Sequence, residues 1–339
     1  MRRWIQEARC RDTRRRAARQ IEERLRRWLA TCPCKDDIYE LSPARYYEQE
    51  ESLYDEQYGN EALDEGRAGA LPRQLEQYCS LRHPRAILEL ACGPGTLTLG
   101  LRRCFPEAHL LAADVSPAFL RILAGKLQRL DWPRSSWPRL LQLSDHDLAG
   151  LPPACFDLIC VRSGLHHFDD WQLRLHQLAA ALASDGVLAV YEPRAEFFLT
   201  TSLLLDLALA RAPQPLYAEL QVFVQLFRQT TDFYISQNCD KSTAEDKHAF
   251  FAEDLLLVSS RSGLALAPIG AEHACPFSSA FNDYLRYCMS ASLAVMTGLQ
   301  ELLAPELQRL NGLYGARLSP YGAAEWYLLR KQALLPVRS

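Results

Sequence analysis

"ILELACGPGTLTLGL", residues 87–101, decides how the rest of the chain is read. An apolar run carrying a single acid, Glu89, gives way to Gly93-Pro94-Gly95, and a second apolar run with helix-like character follows. A short buried strand that turns through glycines into a helix is the opening unit of an open α/β sheet. In such sheets ligands sit at the carboxyl ends of the strands. Gly93 and Gly95 allow backbone angles or a close approach that a Cβ would forbid. A dinucleotide at this turn asks for G-x-G-x-x-G, with its pyrophosphate on the helix N-terminus. Thr98 stands where the third glycine belongs, so that pattern fails.

Outward from the turn, short apolar runs alternate with helical patterns. RAILEL (85–90), HLLAAD (109–114), RLLQL (139–143), FDLICV (156–161) and VLAVYE (187–192) read as strands. Stretches near 96–103, 117–130 and 170–183 read as helices. Strands alternating with helices of 10–15 residues make βαβ units, which predicts an α/β fold with a parallel, doubly wound sheet. After Pro193 the alternation lapses into a helical, apolar and aromatic stretch, 195–235. A helix near 250–261, a strand near 264–272, a second helical insert and a last strand, EWYLLRK (325–331), follow. The expected organisation is an N-terminal helical cap (1–83), a ligand-binding core (84–192), a helical lid insertion (193–249) and the rest of the core with a helical insert (250–339).

Composition narrows the classes. With 339 residues, 48% of them hydrophobic, the chain can bury a large core, and a net charge of −3 supplies no overall field to draw nucleic acid. Eleven cysteines are scattered without C-x-x-C pairs, and Cys32-Pro33-Cys34 lacks a companion cluster at zinc spacing, so a reduced, cytoplasmic protein is expected. No apolar run reaches the roughly 18–20 residues that span a bilayer. Residues 1–30 hold eleven arginines, with Ile21, Leu25, Trp28 and Leu29 as an apolar stripe. Such a helix either packs its stripe on its own domain or meets RNA or a membrane surface.

The ligand that does suit the glycine turn is a nucleoside carrying a charged amino acid. It needs an acid at the end of the first strand to accept from an ammonium group, and Glu89 is there. It needs a second acid at the end of the next strand, because two carboxylate oxygens can accept both ribose hydroxyl protons. Asp114 closes HLLAAD, 25 residues beyond Glu89. A third polar group is expected near the adenine amino group, and Asp145 or Asp147 in LSDHDLAGLP serves.

On these residues the chain resembles the class I, Rossmann-like S-adenosylmethionine-dependent methyltransferases, in their small-molecule branch. ELACGPGT is similar to the family's first motif, E/D-x-G-x-G-x-G, with Ala91 replacing the first glycine in what is expected to be ordinary backbone. AADVSPAFL resembles the second motif, and DHDLAGLP resembles an acid-x-x-x-L-P segment, which favours Asp147. FDLICVRSGLHHFDDW and LASDGVLAVYEP are similar to the fourth- and fifth-strand motifs, and FFAEDLLLVSSRSGLALAPIGA to the helix and strand before a C-terminal antiparallel hairpin. The resemblance implies a mostly parallel seven-stranded sheet with that hairpin and helical cap and lid segments. It implies S-adenosyl-L-methionine as cofactor and S-adenosyl-L-homocysteine as product. Glu89, Ala91, Gly93, Gly95, Asp114, Val115, Asp145, His146, Asp147 and Ser163 fall in its cofactor motifs. From the tyrosine-rich cap, Tyr46 and Tyr58 are candidates for the methionine carboxylate.

For the reaction itself, His166, His167 and Glu192 follow the fourth and fifth strands, beside the expected methyl position. Histidine suits a general base because its ordinary pKa lies near neutrality. Adjacent histidines point into one pocket only where the turn is irregular, and Glu192 is a rival as base or orienting group. Arg162-Ser163 supplies no acid for a metal-dependent catechol-type site, so no metal is implied. The expected partner is a small-molecule acceptor under an aromatic lid, with a homodimer left open. The alternatives are an RNA or protein methyltransferase guided by the arginine-rich helix, and a module that binds the nucleoside without transferring methyl.

Overall fold

The computed structural model describes residues 20–42, 68–69, 71–130, 132–236, 239–242, 244, 246–267, 275–314 and 324–331. Its centre is a nine-stranded sheet in the order β1-β2-β5-β4-β3-β6-β7-β9-β8. The strands are β1 (Cys34–Lys35), β2 (Ile38–Glu40), β3 (Ala86–Leu90), β4 (His109–Asp114), β5 (Arg139–Gln142), β6 (Phe156–Arg162), β7 (Leu182–Pro193), β8 (Leu264–Ala267) and β9 (Ala324–Lys331). Pairings from β2 through β7 are parallel, and β7–β9 and β9–β8 are antiparallel. The helices are α1 (Leu71–Cys79), α2 (Thr98–Cys104), α3 (Pro117–Arg129), α4 (Trp171–Ala181), α5 (Ala195–Arg211), α6 (Gln214–Ile235), α7 (Ala252–Arg261), α8 (Phe277–Asp283) and α9 (Leu293–Tyr314).

Parallel strands covered on both faces must be apolar on both, and β3 is buried at all five positions. Its side chains alternate between two cores. Leu88 and Leu90 pack with Leu175 and Leu178 of α4, and Ile87 packs with Leu71 and Leu75 of α1 and Leu101 of α2. Residues 20–29 are helical, and Leu25 and Leu29 join the first of these cores. Arg24 Nη1 donates to the carbonyls of Pro153 and Ala154, and Trp28 Nε1 donates to that of Gly150. This part of the basic segment therefore packs its stripe on its own domain. Residues 1–19 lie outside the described residues, as do Tyr46 and Tyr58.

The sheet has nine strands where seven were expected. The two additional strands come from residues 34–40, inside the segment expected to be a helical cap. Lys35 pairs with Ile38, so Asp36 and Asp37 form a two-residue loop, and both have positive φ, 53° and 64°. This is the twist that matches a hairpin, supplied by two aspartates where Asn-Gly or Asp-Gly is the usual signal. β2 then continues the parallel sheet along β5.

The inserts after β7 and after β8 form one helical body with its own core. α5 and α6, parted at Pro213, pack with α8 and α9 through Phe197, Phe198, Phe227, Phe277, Phe281 and Leu299. Phe198 meets Tyr284 and Tyr234 edge to face at centroid distances of 5.2 and 5.5 Å, a geometry that aromatic quadrupoles favour. Among the described residues no helix is long and apolar enough to cross a membrane.

Candidate functional site

Two turns leave neighbouring strands at the carboxyl edge of the sheet. The first joins β3 to α2. Asp114, the last residue of β4, accepts from Gly93 N at 2.8 Å through Oδ2 and from Ser116 N at 2.9 Å through Oδ1, so its carboxylate ties the glycine turn to the start of α3. Gly93 and Gly95 have φ of 52° and 91°, and a Cβ at Gly93 would meet nothing within 4 Å, so the turn opens onto free space. Ala91 has φ of 56°, in the left-handed region, contrary to the ordinary backbone expected for it. This alanine occupies a glycine conformation at about 1–3 kcal/mol. Glu89 is buried, with Asp114 and Val115 at the end of the next strand. Burial, then the charges of Asp114 and Glu89, push the thiol of Cys92 well above its ordinary range. The cradle is therefore electronegative, which suits a ligand bearing an ammonium and a sulfonium.

Asp145 and Asp147 lie in the turn after β5 and are engaged differently. Asp147 Oδ2 accepts from Ser42 Oγ at 2.6 Å, and Ser42 Oγ accepts from Ser144 N at 2.8 Å, which fastens the residue after the β1–β2 hairpin to this turn. Asp145 Oδ2 accepts from Arg174 Nε at 3.1 Å, and Arg174 Nη2 lies 2.9 Å from His146 Nδ1. Ser163 has φ of 51° and donates its N–H to Tyr191 O.

The second turn joins β6 to α4, and it touches the first. An added Cβ at Gly164 would lie 2.6 Å from the Ala91 Cβ, so the methyl on one turn requires its absence on the other. Glu192, fully buried near the end of β7, organises this turn. Its Oε1 accepts from Gly164 N at 3.0 Å and Leu165 N at 2.7 Å, and its Oε2 lies 2.6 Å from His166 Nδ1. Leu165–His167 is a 3₁₀ turn, the irregularity that lets both histidine rings converge, with centroids 4.0 Å apart. His166 Nε2 and His167 Nδ1 lie 3.3 and 3.4 Å from Asp246 Oδ1. Burial opposes charge on His166, but Glu192 and Asp246 outweigh it and raise its pKa to about 10. Burial would raise the Asp246 carboxyl, but His166 and His167 hold it down at about 2. The two carboxylates thus favour the charged imidazole. The geometry favours His166 as a fixed, positioning group over His166 as a base.

Asp246 and the residues around it are absent from the sequence reading. They belong to a polar segment between α6 and α7 that is laid along the histidine turn. Lys247 donates from N to His166 O and from Nζ to His167 O, both at 2.9 Å, and His248 Nε2 lies 3.0 Å from Phe168 O. Lys241 Nζ donates to the carbonyls of Tyr234 and Lys247. An open groove lined by Gln229, Thr230, Phe233, Tyr234 and Asp246 runs beside this segment. A short polar run between aromatic helices was its only trace in the sequence.

Residues 88–188 match the model of a family described as a methyltransferase domain. Over 109 residues the chain is 33% identical to the demethylmenaquinone methyltransferase of Thermus thermophilus, covering 32% of this chain and 47% of that one. Over 116 residues it is 32% identical to the trans-aconitate 2-methyltransferase of Methylobacterium radiotolerans, covering 33% and 40%. The chain thus spans less than half the length of each of these relatives. A solved S-adenosylmethionine-dependent methyltransferase from Archaeoglobus fulgidus superposes with a TM-score of 0.46 at 13% identity, covering 83% of this chain and 98% of that one.

Proposed function

We propose that the protein, whose residues 88–188 match a methyltransferase-domain family, is an S-adenosylmethionine-dependent methyltransferase of class I that methylates a small or medium organic acceptor in a cytoplasmic biosynthetic pathway. The observation that carries this reading is the contact between Ala91 and Gly164, which sets the glycine turn directly against the histidine turn. Cofactor and acceptor sites then share one wall. Bound S-adenosylmethionine supplies an activated methyl group on a cationic sulfur. The chain's part is to hold that methyl and the acceptor atom in line, and alignment accounts for much of the rate in such transfers.

Glu89 and Asp114 are the residues to meet the ammonium and the ribose. Asp145, His146 or Asp147 would lie along the adenine, and the turn at Ala91, Gly93 and Gly95 would give the backbone approach. Beyond the sulfur would lie His166, held by Glu192 and Asp246, with the helical body of α5, α6, α8 and α9 beside the acceptor groove. An acceptor that is already ionised at neutral pH, such as a carboxylate, needs no base from the protein, and this is the class proposed. A relative named for trans-aconitate, a polycarboxylate, supports this class of acceptor. The packing of residues 20–29 on their own domain favours the small-molecule reading over one in which this helix grips RNA.

Calorimetric titration with S-adenosylhomocysteine, followed by a screen of carboxylic acids for S-adenosylmethionine-dependent methyl ester formation, tests the proposal. Binding lost in Asp114→Ala and a methyl ester product are expected. Absence of binding, or binding indifferent to Asp114→Ala, overturns it.

A further inference from the structure

The sequence reading expected no metal, yet the fold assembles a set of ligands that no spacing in the sequence displays. His166 Nε2, His167 Nδ1 and an Asp246 carboxylate oxygen lie within 4.8 Å of one another. We propose that these three residues bind a divalent first-row transition-metal ion, and that its remaining positions take an oxygen of the acceptor from the neighbouring groove. The second half of this proposal rests on the methyl-transfer reading, and the first half does not.

The edges of a metal ligand set are longer than a charge-assisted hydrogen bond. Imidazole nitrogens and carboxylate oxygens bind Zn²⁺ at about 2.0–2.2 Å, which makes the edge of a tetrahedral ligand set roughly 3.4 Å. A charge-assisted N–H···O bond is shorter, about 2.7–2.9 Å. Both contacts to Asp246 Oδ1, at 3.3 and 3.4 Å, have the ligand-edge spacing. The same His166 ring provides the contrast: its other nitrogen lies 2.6 Å from Glu192 Oε2, the length of a shared proton.

That Glu192 contact is also the outer partner that metal-bound histidines use. A carboxylate on the far ring nitrogen fixes the tautomer, so a metal that replaces the Nε2 proton finds the His166 lone pair on the Asp246 side. Glu192 is itself held by Gly164 N and Leu165 N. On the other side, Tyr234 Oη donates to Asp246 Oδ2 at 3.4 Å, and Lys247 clamps the segment to the carbonyls of both histidines. The three ligands are thus braced from two directions. With the His166 proton displaced by the metal, two imidazoles and one carboxylate, with solvent access through a half-exposed Asp246, form a set that suits Zn²⁺, Co²⁺ or Fe²⁺ and leaves positions open.

The test uses the full chain, stripped with a chelator and dialysed against Co²⁺. One equivalent of Co²⁺ per chain is expected, with a visible ligand-field spectrum that Zn²⁺ displaces. His167→Ala and Asp246→Asn should each weaken Co²⁺ binding at least about tenfold, and Glu192→Gln by roughly 10–100-fold. Cys34→Ser, a change at an exposed thiol, should leave binding unchanged. Asp246 and His167 are 52% and 32% exposed, so their variants should fold even if the Glu192 variant does not. Failure of Co²⁺ to bind stoichiometrically, or binding that His167→Ala and Asp246→Asn leave intact, overturns the site. The S-adenosylhomocysteine titration is read separately, so loss of one reading does not disguise loss of the other.

Discussion

The glycine turn after β3 and the histidine turn after β6 sit side by side, yet they are held in opposite ways. The glycine turn is held locally, by left-handed backbone at Ala91, Gly93 and Gly95 and by one carboxylate from the adjacent strand. The histidine turn is held at long range, by Glu192 from β7 on one side and by Asp246 and Lys247 from beyond α6 on the other. The first turn presents open backbone beside Asp114, whose carboxylate accepts from the turn itself. In the second the acids already face the protein's own imidazoles. Mutations at the first should therefore damage binding more than folding, and mutations at the buried centre of the second should do the reverse.

The largest expected effect is on stability. Glu192→Ala leaves two N–H groups and a charged imidazole buried without their acceptor, a loss of about 3–5 kcal/mol by chemical denaturation. Asp114→Ala should weaken S-adenosylhomocysteine binding by at least about 100-fold, as the proposed ribose hydrogen bonds to a charged carboxylate, about 1.5–3 kcal/mol each, are forfeited, while costing less stability than the Glu192 change. Equal destabilisation by the two would erase the contrast. Next, Gly164→Ala drives a methyl to 2.6 Å from that of Ala91 and should cost about 1–3 kcal/mol, most of it restored by adding Ala91→Gly. A double mutant no more stable than Gly164→Ala would show that the turns do not share this wall. Ala91→Gly alone should stabilise by about 1 kcal/mol through relief of its positive φ, with melting temperature as the readout.

The smallest effect concerns pH and the scaffold under both turns. Burial raises the Cys155 thiol from 9.0 to about 11 and raises Cys92 as well, in the latter with help from Asp114 and Glu89. In the unfolded chain these thiols ionise near 9.0, while the folded protein keeps them neutral. The stabilising difference is whole below pH 9 and is lost as pH rises through the folded values. Denaturation midpoints should therefore fall between about pH 9 and 11, less steeply in Cys92→Ala.

The same contrast explains what was legible beforehand. Glu89, the Gly93–Gly95 turn and Asp114 announce themselves because each acts within one strand–turn–helix unit or its neighbour. The Asp36-Asp37 hairpin was missed because two aspartates read as polar loop, and only strand pairing forces both into positive φ. Ala91 reads as ordinary backbone in sequence because its strain depends on the path of a turn that residue identity does not state. His166, His167 and Glu192 were visible as strand-end polar groups. Their arrangement as one braced unit was not, since its other half is Asp246.

By itself, then, the sequence determined the parallel α/β core and the cofactor class, because hydrophobic period and glycine punctuation are local properties of the chain. Only the tertiary structure decided that two inserts fuse into one helical body, and that a polar segment between them sets Asp246 against two histidines. Those contacts join residues far apart in sequence, and packing of the aromatic helices fixes where the segment lands.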